Sequence, residues 1–226
     1  MKILLVSATK FEVLPLLKMG VKRSVKGTVS HYQFGRHAVD VLIAGIGMTA
    51  TAFQLGRTLN KKYDLVINAG VAGSFKRNIP LGTVVNVVSD CFADLGAEDG
   101  SKFLTLKEMG LDNASSLPAG KAGPKSQIPS FKGGKVLLRL KKAKGITVNT
   151  VHGNNTSIKR VVRKFKPDVE SMEGAAFFLA CNTEKIPCVQ IRAISNYVER
   201  RNKKNWQLAL AITNLNALLY KFLNGI

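Results

Sequence analysis

Runs of consecutive aliphatic residues recur along this chain, and most of them are followed by a segment with helical spacing. Examples are KILLVSA at 2–8, DLVINAG at 64–70 and PCVQIRAIS at 187–195. A strand that is apolar at successive positions is buried on both faces, which is typical of parallel strands covered by helices. The alternation predicts an α/β fold, a three-layer sandwich in which a mixed central sheet is flanked by helices.

Local patterns predict the other elements. A hairpin with its turn at Gly35–Arg36 is predicted at 28–47. Helical spacing predicts helices at 11–18, 48–62, 157–165, 170–184 and 205–223. The segment from about 107 to 134 is rich in Ser, Gly, Pro and Lys, so it is interpreted as a loop or lid within one domain that spans 1–226.

Cysteine usage and hydropathy bear on the compartment. The three cysteines, Cys91, Cys181 and Cys188, lie in or beside apolar stretches and form no CxxC pair, so they are interpreted as buried thiols in a reducing environment. No stretch approaches the roughly 20 apolar residues of a membrane span, and the apolar run near Met1 is too short for a secretory signal. The cytoplasm is the predicted location.

The charge balance is strongly basic, with 34 Lys and Arg against 14 Asp and Glu and a formal net charge of +20. The basic residues concentrate at 135–144, 159–166 and 200–204, without the interleaved aromatic residues of a nucleic-acid stacking surface. A solvated surface is the favoured interpretation. Nucleic-acid binding and the steering of an acidic substrate stay open as alternatives.

Polar residues stand where several predicted strands end, and ligands of open α/β sheets bind at such ends. Glu12 follows the first strand, where it is either a carboxylate in the first turn of a helix or a catalytic group. Glu173 precedes small and aromatic residues that should be packed, so its carboxylate needs hydrogen-bond donors, such as sugar hydroxyls. Asn196 ends the strand VQIRAIS, and its amide either faces the cleft or serves a turn.

Five strings in this order, SATKFE, GIG, INAGVAGS, ESMEGAA and RAISN, resemble the purine nucleoside phosphorylase and nucleosidase superfamily over nearly the whole chain. Glu12 is similar to the N-terminal glutamate of the 5'-methylthioadenosine/S-adenosylhomocysteine nucleosidases. The strings DLGAEDG, VNTVHGN, ESMEGAAF and RAISNYVE resemble the futalosine hydrolases still more closely.

The resemblance implies a role for each matched residue. Glu12 would deprotonate the attacking water, and Glu173 would hold the ribose hydroxyls. Met172 would pack beneath the sugar. Ala72 and Gly73 would let the backbone lie close to the purine.

Asn196 stands where the adenine-specific nucleosidases have an aspartate that protonates the purine, and Ser195 in the same string is also expected to bind substrate. An amide cannot deliver a proton, but it can donate a hydrogen bond to N7 or O6 of a 6-oxopurine. Val71 agrees with this exchange, since the adenine-specific relatives carry there a serine that orients the aspartate. The predicted leaving base is therefore hypoxanthine or guanine.

The implied activity is hydrolysis of futalosine to hypoxanthine and dehypoxanthine futalosine, a step of menaquinone biosynthesis, with no metal or cofactor and in a homo-oligomer. The alternatives are a methylthioadenosine/S-adenosylhomocysteine nucleosidase, a purine nucleoside phosphorylase and, from another class, a basic nucleic-acid-binding protein. A phosphorylase would need a cationic phosphate cradle, and the Gly-Asp-Pro-x-Arg string of the hexameric phosphorylases is absent from the N-terminal region.

Two features depart from the family pattern. Relatives stack an aromatic residue on the purine, whereas the stretch matched to it, 153–157, contains none. The segment 107–134 matches least well, and Phe103 and Met109 are candidates for the 5' pocket, with core packing as the favoured alternative.

Overall fold

A mixed β-sheet organises the computed structural model, which describes residues 1–60, 62–111, 136–137 and 139–224. Within these residues, eleven strands are present: β1 Lys2–Ser7, β2 Val21–Lys26, β3 Val29–Phe34, β4 His37–Ile43, β5 Leu65–Ser74, β6 Val84–Ser89, β7 Gly96–Asp99, β8 Lys102–Thr105, β9 Lys141–Thr147, β10 Val169–Ser171 and β11 Cys188–Tyr197. Nine of them form one sheet in the order β10-β9-β6-β11-β5-β1-β4-β3-β2, and β7 pairs with β8 separately.

Five α-helices lie in the described residues. They are α1 Lys10–Met19, α2 Met48–Thr58, α3 Asn155–Phe165, α4 Gly174–Thr183 and α5 Leu208–Asn224, with a short 3-10 helix at Lys203–Asn205. Helices α1 and α5 pack on one face of the sheet, where Leu16 and Leu215 share a core with Ile67. Helices α2 and α4 pack on the other face, where Leu55 and Phe177 meet Val66. The predicted three-layer α/β sandwich is confirmed.

The central strands are parallel where the sequence pattern indicated burial on both faces. β5 lies between β1 and β11 and runs parallel to both, and alternate β5 side chains enter the two cores. The predicted hairpin at 28–47 is confirmed as β3 and β4, and Gly35 in its turn has φ +51°, a backbone conformation that favours glycine. The exposed strand β2 at the sheet edge was not predicted, because its basic, polar residues carry no apolar pattern.

Strand β10 closes one end of the sheet, since it pairs with both β9 and β5. The sequence pattern predicted one helix over 170–184, which is wrong at its start: Glu170 and Ser171 belong to β10, and α4 begins at Gly174. The pairing places Glu170 opposite Gly73 of β5. On the other side of β5, Asn196 of β11 is also opposite Gly73.

Two predictions depend on parts of the chain that the structure does not fully describe. The suggested loop or lid at 107–134 lies mostly outside the described residues, since 112–135 are not among them. No helix in the described ranges is long and apolar enough to cross a membrane.

Candidate active site

The Glu12 carboxylate is buried and almost fully hydrogen-bonded. Its Oε2 accepts bonds from the Thr9 backbone N–H (2.9 Å), the Thr9 hydroxyl (3.0 Å) and the Ser7 hydroxyl (3.1 Å). Its Oε1 accepts one bond, from the backbone N–H of Val71 in β5 (3.0 Å). The first-turn role and the catalytic role are therefore compatible, because Oε2 serves the helix start while Oε1 keeps a lone pair for another donor.

Arg192 of β11 is fully buried in the sheet and connects several polar groups. Its Nη2 lies 3.5 Å from Oε2 of Glu173 and donates to Oδ1 of Asn68 (2.5 Å), while its Nε donates to Oε1 of Gln190 (3.2 Å). Glu173 is also buried, and its Oε1 accepts from the Gly47 backbone N–H (3.1 Å). A buried guanidinium held by this many acceptors is fixed in position.

Gly70 explains how Glu12 and Arg192 come together over β5. A Cβ atom on Gly70 would lie 2.7 Å from Oε1 of Glu12 and 2.4 Å from Nη1 of Arg192. Only glycine leaves room for both groups at this position. A carboxylate oxygen and a guanidinium nitrogen thus face the same small space.

A β-bulge sets the second half of the site. Ile194 pairs with Ala72 and Asn196 with Gly73, so Ser195 is the extra residue in β11. Bulges redirect side chains near active sites. Here the Ser195 hydroxyl donates to Oδ1 of Asn196 (2.9 Å), and the Asn196 amide donates to the Tyr197 carbonyl (3.0 Å). These bonds fix the amide orientation and leave one N–H of Asn196 for a ligand.

A cavity of about 110 Å³ opens beside Asn196 and Gly73. The segment after β9 contributes Val151, His152 and Gly153 to its wall, and β10 contributes Glu170. The rim is supplied by Tyr197, the last residue of β11, and by the segment that follows it: Glu199, Arg200, Arg201, Asn202 and Trp206. Of the stretch 153–157, where the family resemblance implied an aromatic residue, only Gly153 lines the cavity. The rings that do line the cavity belong to His152, Tyr197 and Trp206.

His152 and Glu170 form a close pair in that wall. Nδ1 of His152 is hydrogen-bonded to Oε2 of Glu170, and the His152 backbone N–H donates to Oε1 of the same carboxylate (2.9 Å). The Phe75 ring packs against the imidazole with 6.4 Å between ring centroids. The side chain of Glu170 is 3% exposed and that of His152 is 16% exposed. The carboxylate therefore orients the ring from behind.

A further buried carboxylate, that of Asp90, lies behind the site. Asp90 accepts from Nε2 of Gln190 (2.9 Å) and from the Thr147 hydroxyl (2.9 Å). Burial raises the pKa of Asp90 to about 6, although hydrogen bonds from Gln190 and Thr147 and the nearby Arg192 charge act in the opposite direction. Asp90 is thus linked through Gln190 to the guanidinium of Arg192.

The residues predicted from the sequence fall into two groups. Glu12 and Glu173 meet around Arg192, whereas Asn196 and Gly73 line the cavity. Ser195 and Ala72, the residues before them in β11 and β5, are buried, and the Ser195 hydroxyl donates to the Ala72 carbonyl. Met172, half-buried directly before Glu173, has no hydrogen bond or ring contact that would test its expected place under the sugar.

The two candidates for the 5' pocket are not brought to the cavity. Phe103 packs against Phe165 of α3, with 6.4 Å between ring centroids, which favours the packing alternative. Met109 is half-buried in the turn that follows β8. Neither side chain is among the residues that line the described cavity.

Three residues of the site were missed. Arg192 carried a usable signal, because a charge inside the apolar run VQIRAIS has to be buried and paired. No sequence signal pointed to His152 and Glu170. They are 18 positions apart, and they meet because β9 pairs with β10.

A comparison with protein families decides the superfamily. The model described as "Phosphorylase superfamily" matches residues 2–224. The chain belongs to this superfamily. The resemblance drawn from the five sequence strings is confirmed, and so is the fold that it implied.

Individual relatives of this phosphorylase-superfamily chain are similar to it at moderate identity. Futalosine hydrolase of Streptomyces coelicolor is 29% identical over 185 residues, which cover 78% of this chain and 74% of that protein. Futalosine hydrolase of Thermus thermophilus is 28% identical over 199 residues, which cover 85% and 80%. A crystal structure of a methylthioadenosine/S-adenosylhomocysteine nucleosidase from Colwellia psychrerythraea, in complex with adenine, has a TM-score of 0.81 at 22% identity and covers 100% of this chain and 95% of that chain.

Proposed function

We propose that this protein hydrolyses the N-glycosidic bond of a 6-oxopurine nucleoside, with futalosine as the substrate and hypoxanthine as the released base. The observation that carries the proposal is Oε1 of Glu12, which is fixed by the Val71 N–H and shares the space over Gly70 with Nη1 of Arg192. A water molecule that binds the remaining lone pair of this Oε1 can lose a proton to the carboxylate, and the nearby guanidinium keeps the carboxylate in place. The futalosine hydrolase relatives support the choice of substrate.

The two halves of the site suit the two ends of a nucleoside. Glu12 binds the N–H of Val71 and Asn196 lies opposite Gly73, two residues further along β5, which is about 7 Å along a strand. As the glycosidic bond lengthens, the ribose gains positive charge and the purine gains negative charge. Glu12 and Glu173 supply carboxylates for the sugar end, and the amide of Asn196 supplies a donor for the base.

Hydrolysis is favoured over phosphorolysis by the chemistry of the Glu12 side of the site. A phosphate dianion needs several cationic or N–H donors. The space over Gly70 is bounded by a carboxylate oxygen and by one guanidinium that already serves Glu173, Asn68 and Gln190. Water needs one base and one donor, which this arrangement provides.

The decisive experiment is base release from futalosine by the purified protein, with and without added phosphate, followed by chromatography. We expect hypoxanthine in both conditions at the same rate. Strict dependence on phosphate would identify a phosphorylase. Adenine release from methylthioadenosine at a comparable rate would contradict the base assignment, and steeply salt-dependent DNA binding without any turnover would favour the nucleic-acid alternative.

Assembly and location belong to the same proposal. Phe11, next to Glu12, is 60% exposed, and Ile46, next to Gly47, is 63% exposed. A second copy of the chain that covers both side chains would remove this apolar surface from water, which supports a homo-oligomer, and light scattering would measure its mass. The proposed setting is menaquinone biosynthesis in the cytoplasm.

A further inference from the structure

The reaction proposed for the cavity beside Asn196 requires a proton donor for the leaving purine. A departing 6-oxopurine takes the electron pair of the glycosidic bond and has to gain a proton to leave as a neutral base. The amide of Asn196 can donate a hydrogen bond, but it cannot transfer a proton. Ser195, which donates to Oδ1 of Asn196, is also no acid near neutral pH. Another group in this wall has to provide the proton.

His152 has the chemistry and the location for this step. It lines the same cavity as Asn196, and Glu170 occupies its Nδ1, so Nε2 is the ring nitrogen left for a ligand. Glu170 and Asn196 lie on the two strands that flank Gly73. Since neighbouring strands are about 4.8 Å apart, the two groups approach the space beside Gly73 from opposite sides.

We propose that His152, oriented by Glu170, is the general acid that protonates the leaving purine, an inference that rests on the proposed function. The C1'–N9 bond breaks with its electron pair going to the purine, and the Nε2 proton of His152 passes to a purine ring nitrogen. The water oxygen forms the new bond to C1', and its proton passes to Glu12. Exchange of both protons with solvent restores the site, so that the reaction consumes only nucleoside and water.

Charges around the imidazole decide when it can act as an acid. Glu170 faces it from β10, and Glu199, Arg200 and Arg201 face the same cavity from the segment after β11. A general acid works only while protonated, so activity falls as the pH rises past the point where the ring loses its proton.

The test compares His152→Gln with the wild type on two substrates. Futalosine needs a protonated leaving group, whereas 4-nitrophenyl ribofuranoside releases a stable anion. We expect a loss in kcat of about 10²–10⁴-fold on futalosine, with at most a twofold change on the nitrophenyl riboside. Equal losses on both substrates, or no loss on futalosine, would overturn the proposal. If the wild type does not cleave the nitrophenyl riboside, the pH dependence of kcat on futalosine decides.

In the pH dependence of kcat, the wild type should lose activity as the pH rises. His152→Gln should lack this alkaline decrease. An alkaline decrease in kcat that persists in His152→Gln contradicts the role of His152. Glu170→Gln replaces the carboxylate that holds Nδ1 of His152 with a neutral amide, so kcat on futalosine should fall with little change in KM; an unchanged kcat would exclude Glu170 as the positioning residue. This variant also provides the test if His152→Gln fails to fold.

His31→Gln is the matched control, because Nδ1 of His31 also binds a carboxylate, that of Asp40 (2.5 Å), but on strands β3 and β4 away from the cavity. Its activity and pH profile should equal those of the wild type. The outcomes separate the two proposals. A wild-type protein that releases no base from any 6-oxopurine nucleoside refutes the proposed function, whereas an active wild type with an equally active His152→Gln variant refutes only the role of His152.

Discussion

Arg192 and Glu173 form a buried ion pair, with 3.5 Å between Nη2 and Oε2. Arg192 is completely inaccessible to solvent and Glu173 is 6% exposed, so neither charge is stabilised by bulk water. Removal of one member of such a pair leaves the other charged and buried, which costs about 3–5 kcal/mol. Loss of either residue of this pair is therefore expected to disturb the site and to lower the free energy of unfolding.

Arg192→Met should lower the free energy of unfolding by about 3–5 kcal/mol, measured by urea denaturation. Arg163→Met on the exposed surface of α3 is the control, with an expected change within about 0.5 kcal/mol. The double variant Arg192→Met with Glu173→Gln should lose less than the sum of the single changes, because each removes the partner of the other. An effect of Arg192→Met below about 1 kcal/mol would contradict this account.

Glu12→Gln should reduce base release by about 10²–10⁴-fold, because an amide cannot accept the proton of the attacking water. The fold should persist, since the amide oxygen can still accept the bonds from Ser7 and Thr9. Its NH2 group would then oppose the N–H of Val71, which accounts for a modest loss of stability. Steady-state kinetics and thermal unfolding measure the two effects. Glu98→Gln, at a side chain that is 71% exposed, is the control and should be fully active.

Sequence patterns predicted the layers of this fold because the central strands are buried on both faces and therefore consist of consecutive aliphatic residues. Glu12 was also predictable, since Ser7, Thr9 and Glu12 are near neighbours and bond within one strand-to-helix connection. The start of α4 was not predictable: Val169–Ser171 is only three residues long, and its strand character depends on distant partners in β9 and β5.

The cavity wall was predicted only in part, for the same physical reason. Asn196 ends an apolar strand, which is a local signal, but the bulge at Ser195 that orients it is a property of the pairing between β11 and β5. The contact between His152 and Glu170 likewise depends on how β9 and β10 align. Tertiary pairing of this kind leaves no periodicity in the sequence.

Gly70→Ala should inactivate the protein although the substitution replaces no polar side chain. The added methyl group would lie 2.4 Å from Nη1 of Arg192 and 2.7 Å from Oε1 of Glu12, so at least one of these groups has to move. A displacement of about 1 Å can cost roughly 100-fold in rate. Gly56→Ala in α2 is the control, because a methyl group there meets no atom within 4 Å.

The control Gly56→Ala should retain full activity. Its free energy of unfolding should rise by up to about 1 kcal/mol, because alanine has a better helix propensity than glycine. Base-release kinetics distinguish the two variants. A fully active Gly70→Ala protein would show that the placement of Oε1 of Glu12 beside Nη1 of Arg192 is not needed to activate water.

The buried carboxylate of Asp90 should make stability depend on pH in the opposite direction from an ordinary salt-bridged acid. Burial raises its pKa in the folded protein to about 6, from 3.8 in an exposed side chain. Below pH 4 the group is protonated in both states and does not contribute. Between pH 4 and 6 it ionises in the unfolded chain but stays protonated in the folded protein, so stability falls as the pH rises.

Above pH 6 the Asp90 carboxyl is ionised in both the folded and the unfolded state. The resulting loss in the free energy of unfolding then stays constant at about 3 kcal/mol. Urea denaturation between pH 4 and 8 measures this for the wild type and for Asp90→Asn. Other titrating groups cancel in the difference between the two proteins. We expect that difference to shift in favour of the variant as the pH rises from 4 to 6 and to level off above 6, because asparagine carries no charge to bury. A difference that is independent of pH would mean that Asp90 ionises as readily in the folded protein as in the unfolded chain.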